Sequence, residues 1–144
     1  MQNLMQQFDI RSGSWAQLQQ DAKRIREQVF IQEQQIAPED EWDAEDSVSQ
    51  HFVAYDHEQP IATARLLRSN SIGRVAVLKD YRGKGIGKLL MEAVIAQARI
   101  ECREFLKLSS QVHAIEFYAA LGFAVQGEEY LDCEIPHIDM WMKL

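Results

Sequence analysis

The 144-residue chain predicts an α+β fold, a mixed and mostly antiparallel sheet flanked by helices, in a single domain spanning 1–144. Three observations carry that expectation. Stretches with strand alternation, His51–Tyr55, Ile61–Leu67 and Ile72–Leu78, follow one another with only turns between them, which favours antiparallel neighbours. Two longer stretches, about Trp15 to Gln32 and Gly85 to Arg103, place apolar residues at helical spacing. The second helix separates Ile72–Leu78 from another strand, Phe105–Leu108, and a helical crossover favours parallel pairing of the strands it joins.

Each element has a local reason. Phe8-Asp9-Ile10 makes a short first strand, and Ser14 is placed to cap the helix whose Leu18, Ala22, Ile25, Val29 and Phe30 share a face. Pro38 breaks that pattern. The acidic tract that follows (Glu39, Asp40, Glu41, Asp43, Glu45, Asp46) has no periodicity and reads as a loop with one helical turn. It is either a solvated face or a lure for a cationic ligand. Asp56–Pro60 and Ser69–Ser71 are turns. The helix from Gly85 is expected to bury Leu89, Leu90, Ala93, Val94, Ala96 and Ala98. A short helix, Val112 to Leu121, stops at Gly122, a natural C′ glycine. Phe123–Val125 and Ile135–Met142 then form a closing strand pair around an insertion, Gly127–Glu134. The apolar end, Ile138–Leu144, either pairs within the chain or across a homodimer.

Composition narrows the function. A hydrophobic content of 47% with 26% charged residues is that of a soluble globular domain. The net charge of −7 argues against nucleic acid as a partner. No apolar run approaches the ~20 residues of a membrane helix, so no membrane partner is expected. Met1 to Arg11 lacks the basic and apolar regions of a secretory leader, which suggests a cytoplasmic protein. Cys102 and Cys133 stand apart without CxxC spacing and read as reduced, partly buried thiols, with no disulfide or metal site expected.

The most informative segment runs from Arg74 to Met91. A short apolar run ends in a loop containing Gly83, Gly85 and Gly87, and an amphipathic helix starts at once. Glycines let the backbone approach a ligand, and a helix start presents unpaired N–H groups and a positive dipole end. Arg82, Lys84 and Lys88 add charge, so the segment is suited to a phosphate-bearing anion such as the pyrophosphate of a nucleotide-like cofactor. Walker A would require GxxxxGK with a following Ser or Thr, which is absent. The Rossmann fingerprint would require GxGxxG after the first strand of a βαβ unit, and here antiparallel strands precede the loop. A purely structural corner is the remaining alternative.

Arg82-Gly-Lys-Gly-Ile-Gly87 matches the Q/R-x-x-G-x-G/A motif of the GNAT superfamily of N-acetyltransferases, and Ala114-Ile-Glu-Phe-Tyr-Ala-Ala-Leu-Gly-Phe123 matches its C-terminal signature. The chain resembles this family over nearly its whole length. Through Val29-Phe30-x-x-Glu33-Gln34, Ala62–Leu66 and Ile135-Pro-His137 it looks nearest to the ElaA-type branch. The resemblance implies a GNAT-like central sheet in three αβα layers, acetyl-CoA as co-substrate, no metal, and direct transfer of acetyl to an amine in a ternary complex. It also implies that the N–H groups of Arg82, Gly83, Lys84, Gly85, Ile86, Gly87 and Lys88 cradle the CoA pyrophosphate. Val75, Ala76 and Val77 would pair with the pantetheine arm, with an N–H near Val77 polarising the thioester carbonyl. Gln111, Ala114 and Phe117 fall at further CoA-contacting positions, Gln111 where many members carry Asn.

Acyl transfer needs a neutral amine, a polarised carbonyl and a proton for the departing thiolate. Tyr118 is the position-matched proton donor, the alternative being an aromatic pair with Phe117 that only packs. Candidate bases are Glu33, His51, Glu128 and His137, alone or through water; His51 and His137 serve equally as structural hydrogen-bonders. Arg65, mid-strand among apolar neighbours, must be paired or face a cavity. It either binds an acceptor carboxylate or pairs with the acidic tract; Glu128 could also contact the acceptor. Readings from other classes are a CoA-holding sensor without catalysis and a nucleotide binder of another fold.

Overall fold

The computed structural model describes residues 8–144. β1 (Asp9–Gly13) is followed by α1 (Trp15–Arg26), which Ser14 caps reciprocally with Gln17: each side chain bonds the other's main-chain N–H. Leu18, Ala22 and Ile25 form the buried face of α1. The expected α-helix does not reach Gln32; over Glu27–Glu33 the turns widen to π-helical, with the Gln34 N–H reaching back to the Val29 carbonyl at 3.0 Å. Val29 and Phe30 stay buried through the widening.

The acidic tract is ordered. Pro38 opens the single turn α2 (Pro38–Glu41) at a position where a missing N–H costs nothing. Asp43 then caps a 3-10 turn, Ala44–Val48, through the Glu45 N–H at 3.1 Å. β2 (Gln50–Asp56), β3 (Gln59–Leu66) and β4 (Ser71–Val77) form the expected antiparallel meander. α3 (Ile86–Ile100) crosses over and β5 (Phe105–Gln111) returns parallel to β4. A 3-10 turn leads into α4 (Ile115–Ala120), which ends at Gly122 with φ 110. β6 (Ala124–Asp132) and β7 (Ile135–Lys143) close the chain, and the sheet order is β1-β2-β3-β4-β5-β7-β6.

One face of the sheet takes α3, whose Ile86, Leu90, Met91, Val94, Ile95 and Ala98 pack with Phe52, Ala64, Leu66, Leu106 and Met140. α1 covers the other face at Val53, Tyr55 and Ala76. Fully burying an aliphatic side chain stabilises by about 1.5–3 kcal/mol, so these two layers hold the sheet. Ala96 faces solvent, contrary to expectation, because the buried stripe of α3 runs through Met91 and Ile95 instead.

The closing hairpin also differs from the sequence reading. Gly127–Glu134 is not an insertion: β6 runs through it, with a register shift between Gln126 and Tyr130 around Gly127 at φ 83. Cys133 and Glu134 make a two-residue turn, both with positive φ. Cys133 and Cys102 lie in turns and are exposed, not partly buried. β7 is paired on both sides, to β5 and β6, which leaves it no edge for a second copy. Among the described residues no helix is long and apolar enough to cross a membrane.

Candidate active site

The sheet parts at its centre. β4 and β5 pair only at Ser71–Lys107 and Ile72–Leu108. Past that point β4 bulges: Thr63 and Arg65 of β3 pair with Ala76 and Gly73, so Ala64 faces two residues, Arg74 and Val75. Arg74 sits at φ 52, which costs an L-residue about 1–2 kcal/mol. Its guanidinium offsets that cost, donating to the Glu41 carbonyl at 2.9 Å and reaching the Glu41 and Asp43 carboxylates at 3.2 Å each. The wedge between the strands is a cavity of about 920 Å³. It extends from Gly83 and Gly85, along Val75, Ala76 and Val77, past Phe117 and Tyr118 to His137.

The glycine loop forms one end. Gly83 and Gly85 hold φ 76 and 81, and Gly85 is the N-cap of α3. Main-chain bonding stops at Arg82 N–H to Lys79 and resumes at Leu89 N–H to Gly85, so among the described residues the N–H groups of residues 83–88 have no main-chain partner. A Cβ on Gly87 would stand 3.3 Å from the Phe117 ring, a close approach between α3 and α4. Ile86, Lys88 and Ala114 also line the cavity, while Lys84 does not and holds its ammonium 5.3 Å from the Tyr81 ring centre. An anion with a pyrophosphate fits this corner: it offers unpaired donors, a helix dipole and open space at Gly83.

Tyr118 is buried on α4 with its ring edge-on to Phe117 and Phe123, and burial pushes its phenol up to about 12. Its ring packs on both aromatics, as the packing alternative expects, and the residue also lines the cavity, where its hydroxyl has no hydrogen bond among the described residues. Arg82 binds Glu33 with both terminal nitrogens (2.6 and 2.8 Å) and the Val77 carbonyl with Nε (2.9 Å). That bidentate bond holds the Glu33 carboxyl below its ordinary value, which makes it a poorer base. Gln111 donates to the Gln34 side chain across the wedge at 3.0 Å and accepts from His113 at 2.7 Å. His137 reaches the cavity from β7, its Nδ1 donating to the Ile135 carbonyl at 2.7 Å.

Other sequence candidates lie elsewhere. His51 is fully buried outside the cavity, with Nε2 donating to the Asp46 carbonyl and its ring 4.7 Å from that of Trp15. Burial, more than any charge, pushes its pKa down. Glu128 is exposed at the β6 bulge and does not line the wedge. Arg65 answers to the acidic tract: it binds Asp43 at 2.7 and 2.8 Å and Asp46 at 2.9 Å. Arg26 binds Glu41 at 2.7 Å and Asp46 at 2.8 Å, with Trp42 over its guanidinium at 4.9 Å. The hydrogen bond from Arg65 holds Asp43 at about 2, whereas burial raises Glu41 despite its arginines. The tract is therefore stapled to the sheet through buried Glu41 and Asp46 and walls the cavity through Asp40 and Glu41, while Glu39, Asp40, Asp43 and Glu45 remain exposed. Arg26 and Arg74 escape a periodicity reading; the one available signal is that Arg26 falls on the apolar face of α1 beside Ile25 and Val29.

Comparison with known proteins agrees with this geometry. Residues 17–144 match the model of the acetyltransferase (GNAT) domain. The uncharacterized N-acetyltransferase YjcF of Bacillus subtilis is 36% identical over 124 residues, covering 83% of this chain and 89% of that one. An acyl-CoA N-acyltransferase from Pseudomonas aeruginosa superposes with TM-score 0.83 at 33% identity, covering 94% of this chain and 99% of that one. Escherichia coli ElaA does so with TM-score 0.85 at 25% identity and the same coverage. A GNAT acetyltransferase from Elizabethkingia anophelis, solved with acetyl-CoA bound, shares the fold at TM-score 0.71 and 15% identity, covering 96% of this chain and 99% of that one. A split sheet, a glycine corner with free N–H groups and these likenesses lead to one assignment: the chain belongs to the GNAT family of acetyltransferases.

Proposed function

We propose that the protein transfers acetyl from acetyl-CoA to a primary amine of a small molecule or peptide, by direct attack in a ternary complex, and that residues 1–144 work as one catalytic domain. The observation that carries this is the wedge between β4 and β5, open at one end to the unpaired N–H groups of residues 83–88 and at the other to His137. Those N–H groups, with Lys88, hold the pyrophosphate. Val75, Ala76 and Val77 bond the pantetheine arm along the strand edge that β5 leaves free, and a main-chain N–H near Val77 polarises the thioester carbonyl. As the C–N bond forms and the C–S bond breaks, Tyr118 gives its proton to the thiolate; a phenol held at about 12 is protonated throughout the neutral range. Among the named bases, His137 stands in the cavity while Arg82 occupies Glu33.

The test is thermal unfolding with acetyl-CoA, CoA, ATP and NAD side by side, followed by thiol release from acetyl-CoA over a panel of amines. Stabilisation by the CoA species alone, with thiol release that depends on an amine, is the expected result. Stabilisation without release from any amine would instead favour a CoA-holding sensor. Absence of any CoA response would remove the donor assignment.

A further inference from the structure

Gly73 and Ser109 are the first residues beyond the last β4–β5 pair, so Ser109 stands at the apex of the wedge. It also borders a second, smaller cavity of about 320 Å³ with Asp139 and Trp141, on the side of β5 and β7 away from α4. Strand register sets Ser109 opposite Asp139, and β6 brings Tyr130 to both. Tyr130 donates its hydroxyl proton to Asp139 Oδ1 at 2.7 Å, and its oxygen is hydrogen-bonded to Ser109 Oγ. With the phenol proton committed to Asp139, the Ser109 hydroxyl is the donor in the second bond. Ser109 itself lines the wedge, and its oxygen keeps acceptor capacity there. The Tyr130 ring is fixed from behind by His137, stacked at 6.2 Å and 22°.

We propose that Ser109, Tyr130 and Asp139 form the exit path for the proton that the acceptor nitrogen must lose; this rests on the amine-acetylation reading above. Once nitrogen has bonded the thioester carbon it is far more acidic than a free ammonium, and a carboxylate at the end of a short chain suffices to receive its proton. The N–H bond breaks toward Ser109 Oγ, the Ser109 proton passes to the Tyr130 oxygen, and the Tyr130 proton passes to Asp139, which releases it to water. No other reactant is needed, and each hydroxyl is restored as Asp139 discharges. Ser109 is the member that touches the acceptor; Tyr130 and Asp139 are positioning residues that act through it. Of the other candidate bases, Glu33 lines the wedge but is held by Arg82, His51 is sealed, Glu128 is outside the wedge, and His137 lines it with Nδ1 committed to the Ile135 carbonyl.

The experiment measures kcat and KM for the best amine in wild type, Ser109→Ala, Tyr130→Phe, Asp139→Asn and the double variant Ser109→Ala/Asp139→Asn. Gln126→Ala, at the β6 neighbour of Asp139, is the control, and acetyl-CoA stabilisation is followed in all. The proposal expects kcat to fall about tenfold or more in each single variant, with KM for acetyl-CoA and its thermal shift unchanged. The double variant should fall no further than the singles, and the deficits should shrink as pH rises and hydroxide takes the proton directly. Wild-type turnover with the variants within twofold overturns the relay alone. Absence of wild-type turnover with every amine overturns the transfer reading and the relay with it.

Discussion

At the residue scale, two buried titratable side chains shift in opposite directions. Burial alone raises Tyr118 to about 12, so it keeps its proton throughout the neutral range. Tyr118→Phe keeps the ring contacts with Phe117 and Phe123 and removes only the donor. We expect kcat to fall about 100-fold with acetyl-CoA stabilisation retained, measured by thiol release beside thermal shift. His51 is lowered by burial, although its bond to the Asp46 carbonyl works the other way. The unfolded chain therefore accepts a proton that the native state resists. Stability owed to His51 is complete above about pH 6.5, the unfolded value, and is lost as pH falls from there through the folded value. Around the ring stand Asp46, Arg26, Arg65 and Trp15, so protonation would add a cation beside two arginines. Urea midpoints at about pH 7.5 and 5.5 should drop in wild type and drop less in His51→Gln, which still donates but does not titrate. Equal drops would remove His51 as the cause.

The elements divide by how they are encoded. β2, β3, β4 and α3 carry strong periodicity and turn residues at their ends, and they form where the spacing predicts. The glycine corner was equally legible, because Gly83 and Gly85 stand where only a residue without Cβ adopts positive φ cheaply. Other features depend on partners distant in sequence. The π-helical turns of Glu27–Glu33 continue the apolar spacing of α1, and the Glu33–Arg82 bond at their end joins residues far apart in sequence. The acidic tract reads as solvated until Arg26, Arg65 and Arg74 converge on it from three other elements. In sequence β6 reads as interrupted because Gly127 and two glutamates mimic a loop, whereas a bulge absorbs them. For the corner itself, Gly85→Glu imposes about 1–2 kcal/mol of backbone strain and sets a carboxylate before the free N–H groups. In a chain of this size that strain lowers Tm by about 2–8 °C, and the upward shift with acetyl-CoA should vanish. A retained shift would mean that the corner does not bind the anion.

For the whole molecule the consequential fact is how little main-chain pairing joins the two halves of its sheet. β1 to β4 share α1 and α3 and form a continuous antiparallel block, while β5, β7 and β6 form a second block of closely registered pairs. Between them the ladder has two positions, Ser71–Lys107 and Ile72–Leu108; the rest of the join is side-chain packing, with Leu106, Leu108, Met140, Met142, Tyr118 and Phe123 in the core that α3 shares, and the Gln34–Gln111 bridge at the open end. A sheet closed along its full length would leave no wedge, so the reactive cavity exists because main-chain pairing was forgone there. The N–H and C=O groups lining it on β4 stay open to water or to a ligand's amides. A pantetheine arm bonded to β4 while packing against β5 and α4 would replace the missing ladder and couple the blocks. Hydrogen–deuterium exchange should therefore slow on acetyl-CoA binding at Gly73–Leu78 and Ser109–Ala114 together, beyond the protection at residues 83–88 expected of any phosphate ligand. ADP, which carries the pyrophosphate without the arm, should protect only the corner. If acetyl-CoA also protects nothing but the corner, the arm does not run through the wedge, and the β4–β5 parting is a feature of packing rather than of catalysis.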